Sequence, residues 1–171
     1  MSTVTKIDGL ASGPQGSEQV FEQRGRFIRM FASATMVKGD VVAIDPAVST
    51  FGLGNSVQPA NSGDATIIFA IGVCADSDPN NVGPDASGVA HAIAVGEEVL
   101  IQVGGLCTYC KVDVSESAPG GALVSGSGVG VADVFDASSL SPPFAINIAE
   151  SAGPNDDRAA STVLLLNVAN Y

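Results

Sequence analysis

Tryptophan is absent from this chain of 171 residues, and charged side chains make up only 15% of it. Cations are the scarcest: seven Lys and Arg stand against 18 Asp and Glu, for a net charge of −11. Such a balance argues against nucleic acid as a partner, since phosphates demand a basic surface. Low charge combined with 46% hydrophobic content excludes a disordered chain. Histidine occurs once, as His91, so Ser–His–Asp chemistry would have to pass through it. No G-x-S-x-G nucleophile elbow accompanies it. Cysteine occurs three times, an odd count, and the start "MSTVTKIDGL" has no apolar signal core. A disulfide framework is therefore not expected, and the expected setting is assembly in a cytoplasm with reduced thiols. The longest apolar run, "ATIIFAIGVCA" at 65–75, is about half the roughly 20 residues of a membrane helix.

The apolar content is carried by Val, Ile and Ala, and 20 Gly and nine Pro punctuate it. Short strands joined by Gly/Pro turns give this composition. The period of the pattern is two from residue 26 onward. "RFIRMFA" (26–32) is strand-like. "MVKGDVVAID" (36–45) is a Lys38-Gly39-Asp40 turn feeding a strand over Val41 to Ile44. Residues 46–64 are rich in turn formers and are expected as a loop. "ATIIFAIGVCA" is expected as a central strand buried on both faces. "DSDPNNVGPDASG" (76–88) is expected as a second loop. "VAHAIAVGEE" (89–98) and "EVLIQV" (98–103) alternate. "ALVSGSGVGVADVF" (122–135) predicts a hairpin, and "PFAINIAE" (143–150) and "STVLLLNVANY" (161–171) predict the last strands. With about eight strands, no long amphipathic helix and no fixed-period repeat, the fold class is all-β, a small barrel or sandwich.

Residues 1–30 are expected to form an extended N-terminal arm and 31–171 the barrel body. "GLASGPQGS" (9–17) has the composition of a linker. Charge divides along the same line. Residues 1–29 hold four basic and three acidic residues, whereas residues 30–171 hold three basic and fifteen acidic ones. A mildly basic leader ahead of an acidic body suits docking on an acidic neighbour.

Four groups of residues invite a chemical reading. Cys107 and Cys110 have C-x-x-C spacing. On a regular strand they point to opposite faces, Cys110 inward with Leu106 and Val112, Cys107 outward beside Tyr109 and Lys111. No helix follows to stabilise a thiolate. A Cys₃His zinc set from Cys74, His91, Cys107 and Cys110 lacks the paired spacing and the tight turn of known sites. The ordinary reading is that these cysteines fill space. Asp76, Asp78 and Asn80 alternate as in calcium loops, but Asn81 replaces the expected Gly and Ser87 the expected Glu. Lys111 lacks the M-K-M or D-K-A hairpin of a biotinyl or lipoyl carrier. No metal, no cofactor and no catalytic residue are expected. Gly104 and Gly105 are expected to let a long strand bend or bulge.

The order of the pieces carries a resemblance: "VKGDVVAID" (37–45), "AIGVCA" (70–75), "GEEVLIQVGGLCTYCKV" (96–112), "APGGALVSGSGVGVA" (118–132), "FAINIAES" (144–151) and "VLLLNV" (163–168). This pattern resembles the capsid decoration (cement) proteins of tailed bacteriophages, the DUF2190-type group, over residues 36–168 with insertions at 46–64 and 76–88. The resemblance implies a β-barrel or β-tulip body, usually a homotrimer, clamped on the outer surface of the capsid of a virion assembled in the host cytoplasm. Its partners would be the major capsid protein and itself, with neither nucleic acid nor membrane involved. It brings no catalytic residues. The arm would dock through Phe21, Arg24, Arg26, Phe27 and Arg29, the arginines pairing with carboxylates. It could add a strand to a neighbour's sheet. An alternative is a β-barrel receptor- or carbohydrate-binding head-fibre module. Tyr109, Tyr171 and seven Phe are few aromatics for sugar stacking. An enzyme would need His91 as its general base.

Overall fold

A computed structural model describes residues 25–47, 50–75, 92–113, 119–148 and 159–166, with the side chains of 159 and 160 excepted. Nine strands form one sheet among these residues: β1 Arg26–Ala32, β2 Val41–Ile44, β3 Ser56–Pro59, β4 Ala70–Cys74, β5 Glu98–Val112, β6 Ala122–Ser125, β7 Ala132–Val134, β8 Ala145–Asn147 and β9 Ala159–Leu166. No helix occurs among the described residues. The all-β class and the small barrel follow the sequence.

The 15-residue strand β5 organises everything else. Its first half pairs with β1 on one edge and β4 on the other. The order β1-β3-β2-β4-β5, with β1 returning to β5, closes a five-stranded barrel. Its second half pairs with β9, and Val112 at its end lies between Ala159 of β9 and Ala132 of β7. The order β5-β7-β6-β8-β9 makes a second circuit, closed by β9 on β5. The handover falls at Gly104, which faces Arg26 on β1 and Leu166 on β9. Gly105 there has φ +85°, a left-handed conformation that glycine adopts without strain. The glycine pair thus marks the expected bend, within one continuous strand.

Alternation fills two cores. Ile28, Met30 and Ala32 of β1 and Val99, Ile101 and Val103 of β5 point into the first barrel with Val42, Val57 and Cys74. Leu123, Ala132, Ala145, Val163 and Leu165 gather with Phe144 in the second core. Strand β2 separates them: Val42 faces the first core, Val41 and Ala43 the second. That two-sided burial explains its unbroken run of apolar residues. Truncating Phe144, among the largest fully buried side chains, would cost about 3–5 kcal/mol.

Three expectations change. Strand β4 covers only Ala70–Cys74; the preceding apolar residues sit in turns because the Asp64 carboxylate accepts from the Thr66 N–H at 2.9 Å and from its hydroxyl at 2.6 Å. The loop expected at 46–64 contains β3, whose Pro59 ends a strand paired with Val42. In the described part of 89–98, Ile93 makes a single bridge to Met36, and continuous pairing starts at Glu98. The barrel also begins at Arg26, so the arm boundary expected at residue 30 moves back. Residues 1–24 lie outside the described residues.

Candidate assembly surface

Of the five residues expected to dock, Phe21 and Arg24 lie outside the described residues. Arg26, Phe27 and Arg29 belong to β1, the first barrel strand, and not to an arm. Register decides this: Phe27 faces Gln102, Arg29 faces Leu100 and Phe31 faces Glu98 across an antiparallel pair. Phe27, Arg29 and Phe31 therefore share the outer face of the barrel. Arg29 Nη1 reaches Glu98 Oε2 at 3.4 Å, both largely exposed, a pair contributing about 0–1 kcal/mol. Phe31 stacks on Phe51 with ring centroids 4.8 Å apart.

The outer face continues as an apolar row that crosses three strands. Leu106 of β5 pairs with Leu164 of β9, and Leu164 with Ile146 of β8. Leu166, two residues past Leu164, faces Gly104, and Ile148, one residue past the end of β8, lies beside Thr162 at the opposite end of the row. Phe27 is 43% exposed, Leu166 42% and Ile148 47%. The run "VLLL" at 163–166 carries the only sequence signal for this row: consecutive apolar residues on a strand put apolar groups on both faces. Its partners on β5 and β8 are visible only once the register is known. Leu106, Leu164 and Ile146 are half-buried, and exposed apolar side chains grouped on one sheet face are a candidate contact surface.

The cysteines do not alternate as expected. Cys107 pairs with Val163 and Cys110 with Ser161, so three steps on β5 match two on β9. This bulge inserts one extra residue and returns Cys110 to the face of Cys107. Both thiols are fully buried in the second core, while Cys74 belongs to the first. Burial pushes the Cys107 thiol up, against the opposing pull of hydrogen bonds from Tyr109 and Cys110. Burial pushes Cys110 up further. Both stay protonated near neutral pH, as space-filling thiols do. No group of three His, Cys, Asp or Glu stands ready to hold a metal among the described residues. His91, Asp76, Asp78 and Asn80 lie outside them.

A polar network stiffens the place where the two circuits meet. The Gln102 carboxamide donates to the carbonyls of Gly104 at 3.2 Å and Leu106 at 2.9 Å, and accepts from the Tyr109 hydroxyl. Burial raises the Tyr109 hydroxyl well above its ordinary value, with Cys107 adding to the shift. Lys38 Nζ lies 4.9 Å from the Tyr109 ring centroid. Lys111 donates to the Asp40 carboxylate. These residues fix the bend of β5 and hence the relative placement of Phe27, Leu106 and Leu166.

No protein-family model matches the chain, and no curated protein sequence matches it.

Proposed function

We propose that this chain is a structural decoration protein of a tailed-phage head, binding the outer surface of the capsid as a homotrimer and bridging neighbouring capsomers. The observation that carries this reading is the group of apolar side chains on the outer face, with Phe27, Leu166 and Ile148 exposed and the paired Leu106, Leu164 and Ile146 half-buried. Burying it between copies removes apolar surface from water at about 25 cal/mol per Å². The motif order over residues 36–168 supports the same reading. So does the role of β5 as one rigid wall shared by two circuits, which suits a part that must resist stretching.

In this scheme the role is non-catalytic. Arg26, Phe27 and Arg29 take part in contacts with the shell or with the next copy, and residues 1–24 extend that contact. The acidic remainder keeps decorated heads apart by mutual repulsion. The test is co-sedimentation of the purified protein with icosahedral heads that lack it. Wild type pellets with the heads. A chain starting at Gly25, which retains every described strand, stays in the supernatant. Equal pelleting of both would remove residues 1–24 from the account, and no pelleting of either would remove capsid binding.

A further inference from the structure

A cavity of about 300 Å³ opens beside the β6–β7 hairpin, between that hairpin, the loop at 136–141 and the segment holding Ser62 and Ile68. Five serines and two aspartates line it, with apolar walls from Ile68, Val124, Val134 and Leu140. None of its lining residues is basic.

Some of these polar groups are already satisfied. The Asp136 carboxylate accepts from the Ser138 N–H at 2.8 Å and from the hydroxyls of Ser138 at 2.7 Å and Ser139 at 3.2 Å. Those bonds, Ser138 foremost, hold its carboxyl below the usual range, so it is ionised near neutral pH. Ser125 donates to the Ile68 carbonyl.

Others are not. Ser141 is 4% exposed as a residue, and its hydroxyl, without a partner among the described residues, opens to the cavity. The Ser62 hydroxyl also has none among the described residues. Asp133 Oδ1 accepts from the Val134 N–H at 2.7 Å, and Oδ2 is open among the described residues. Both hydroxyls face the solvent of the cavity, where a ligand hydroxyl can take the place of water on them.

We propose that this cavity binds a neutral saccharide unit. Each sugar hydroxyl both donates and accepts, and the open groups offer both: Asp133 accepts, and Ser62 and Ser141 do either. The apolar wall meets the C–H face of the ring. The two carboxylates, with no cation beside them, repel acidic sugars and phosphates. A metal ion is poorly served, because no set of three acidic, His or Cys ligands comes together among the described residues. The volume lies at the small end of ligand pockets, which fits a single sugar ring. The site stands independently of capsid attachment.

The test is saturation-transfer NMR and calorimetry on the full chain, with methyl hexopyranosides, N-acetylglucosamine, glucuronate and calcium chloride as probes. The expected result is saturable binding of at least one neutral sugar and none of glucuronate. The double variant Ser62→Ala/Ser141→Ala should bind about tenfold more weakly at an unchanged melting temperature. Asp133→Asn, nearly isosteric, provides a second reading and should also weaken binding. Absence of binding by every neutral sugar overturns the proposal. So does unchanged affinity in both variants, or calcium binding that the aspartate variant alone abolishes.

Discussion

Lys111, in the second half of β5, donates to the carboxylate of Asp40, 71 positions earlier in the chain, and so ties the two circuits together at their junction. The side chains are 19% and 10% exposed. Removing one partner of such a pair leaves a mostly desolvated charge uncompensated. Lys111→Met should cost about 3 kcal/mol in urea unfolding, whereas Lys111→Met combined with Asp40→Leu should recover part of that loss. A single variant as stable as wild type would mean that solvent already screens the pair.

Gly39 stands in the same junction with φ +94°, and a Cβ there would come within 2.5 Å of the Tyr109 carbonyl oxygen. Gly39→Ala therefore meets both backbone strain and a clash with main chain, for a loss of about 2–3 kcal/mol. Gly54 has φ +74° but nothing within 4 Å of its would-be Cβ. Gly54→Ala should cost only about 1 kcal/mol, the conformational share alone. Comparing the two melting curves separates strain from collision.

Alkaline pH should loosen the second core. Cys107, Cys110 and Tyr109 all have folded values raised by burial, above ordinary values of 9.0 for the thiols and 10.0 for the phenol. Raised groups stabilise the fold fully below the unfolded values, and the contribution is lost as pH climbs past them. Urea midpoints should stay level from pH 7 to about 8.5 and fall steadily above about pH 9. Cys107→Ala/Cys110→Ala should flatten that fall. In the native wild type at pH 8, Ellman's reagent should find none of the three buried thiols reactive, and all three after denaturation.

The two sides of β9 should respond differently to charge. Val163 is fully buried, and Val163→Asp should unfold the chain, at more than about 4 kcal/mol. Leu166, on the outer face, can take Asp without disturbing the core. Leu166→Asp with Ile148→Asp should leave the urea midpoint within about 0.5 kcal/mol of wild type and abolish self-association. Circular dichroism and light scattering read the two outcomes separately.

Local chemistry made much of the fold legible. Lys38-Gly39-Asp40 is a turn that feeds Val41–Ile44, and the glycines at 126 and 128 mark the β6–β7 hairpin, because turn residues act at short range. What failed was everything that depends on a distant strand. The bulge between Cys107 and Cys110 exists only relative to β9, so counting by twos put the thiols on opposite faces. Arg26 and Phe27 looked like the end of an arm because their partners lie some 75 positions later, on β5. Ala65–Phe69 looked like a strand until the Asp64–Thr66 turn took its start. The apolar outer row and the serine-lined cavity are likewise sums of separate segments. Neither has a contiguous signature.

The central claim is that the outer face of β1, β5, β9 and β8 is an assembly surface that brings copies together on a capsid. Sedimentation equilibrium, with and without heads, tests it most directly. The account predicts a species of three times the chain mass of 17.1 kDa in free solution, transferred to the pellet when heads are added. It also predicts a 17.1 kDa species for Leu166→Asp/Ile148→Asp. A wild-type protein that sediments as a single chain at all concentrations and ignores heads would contradict it.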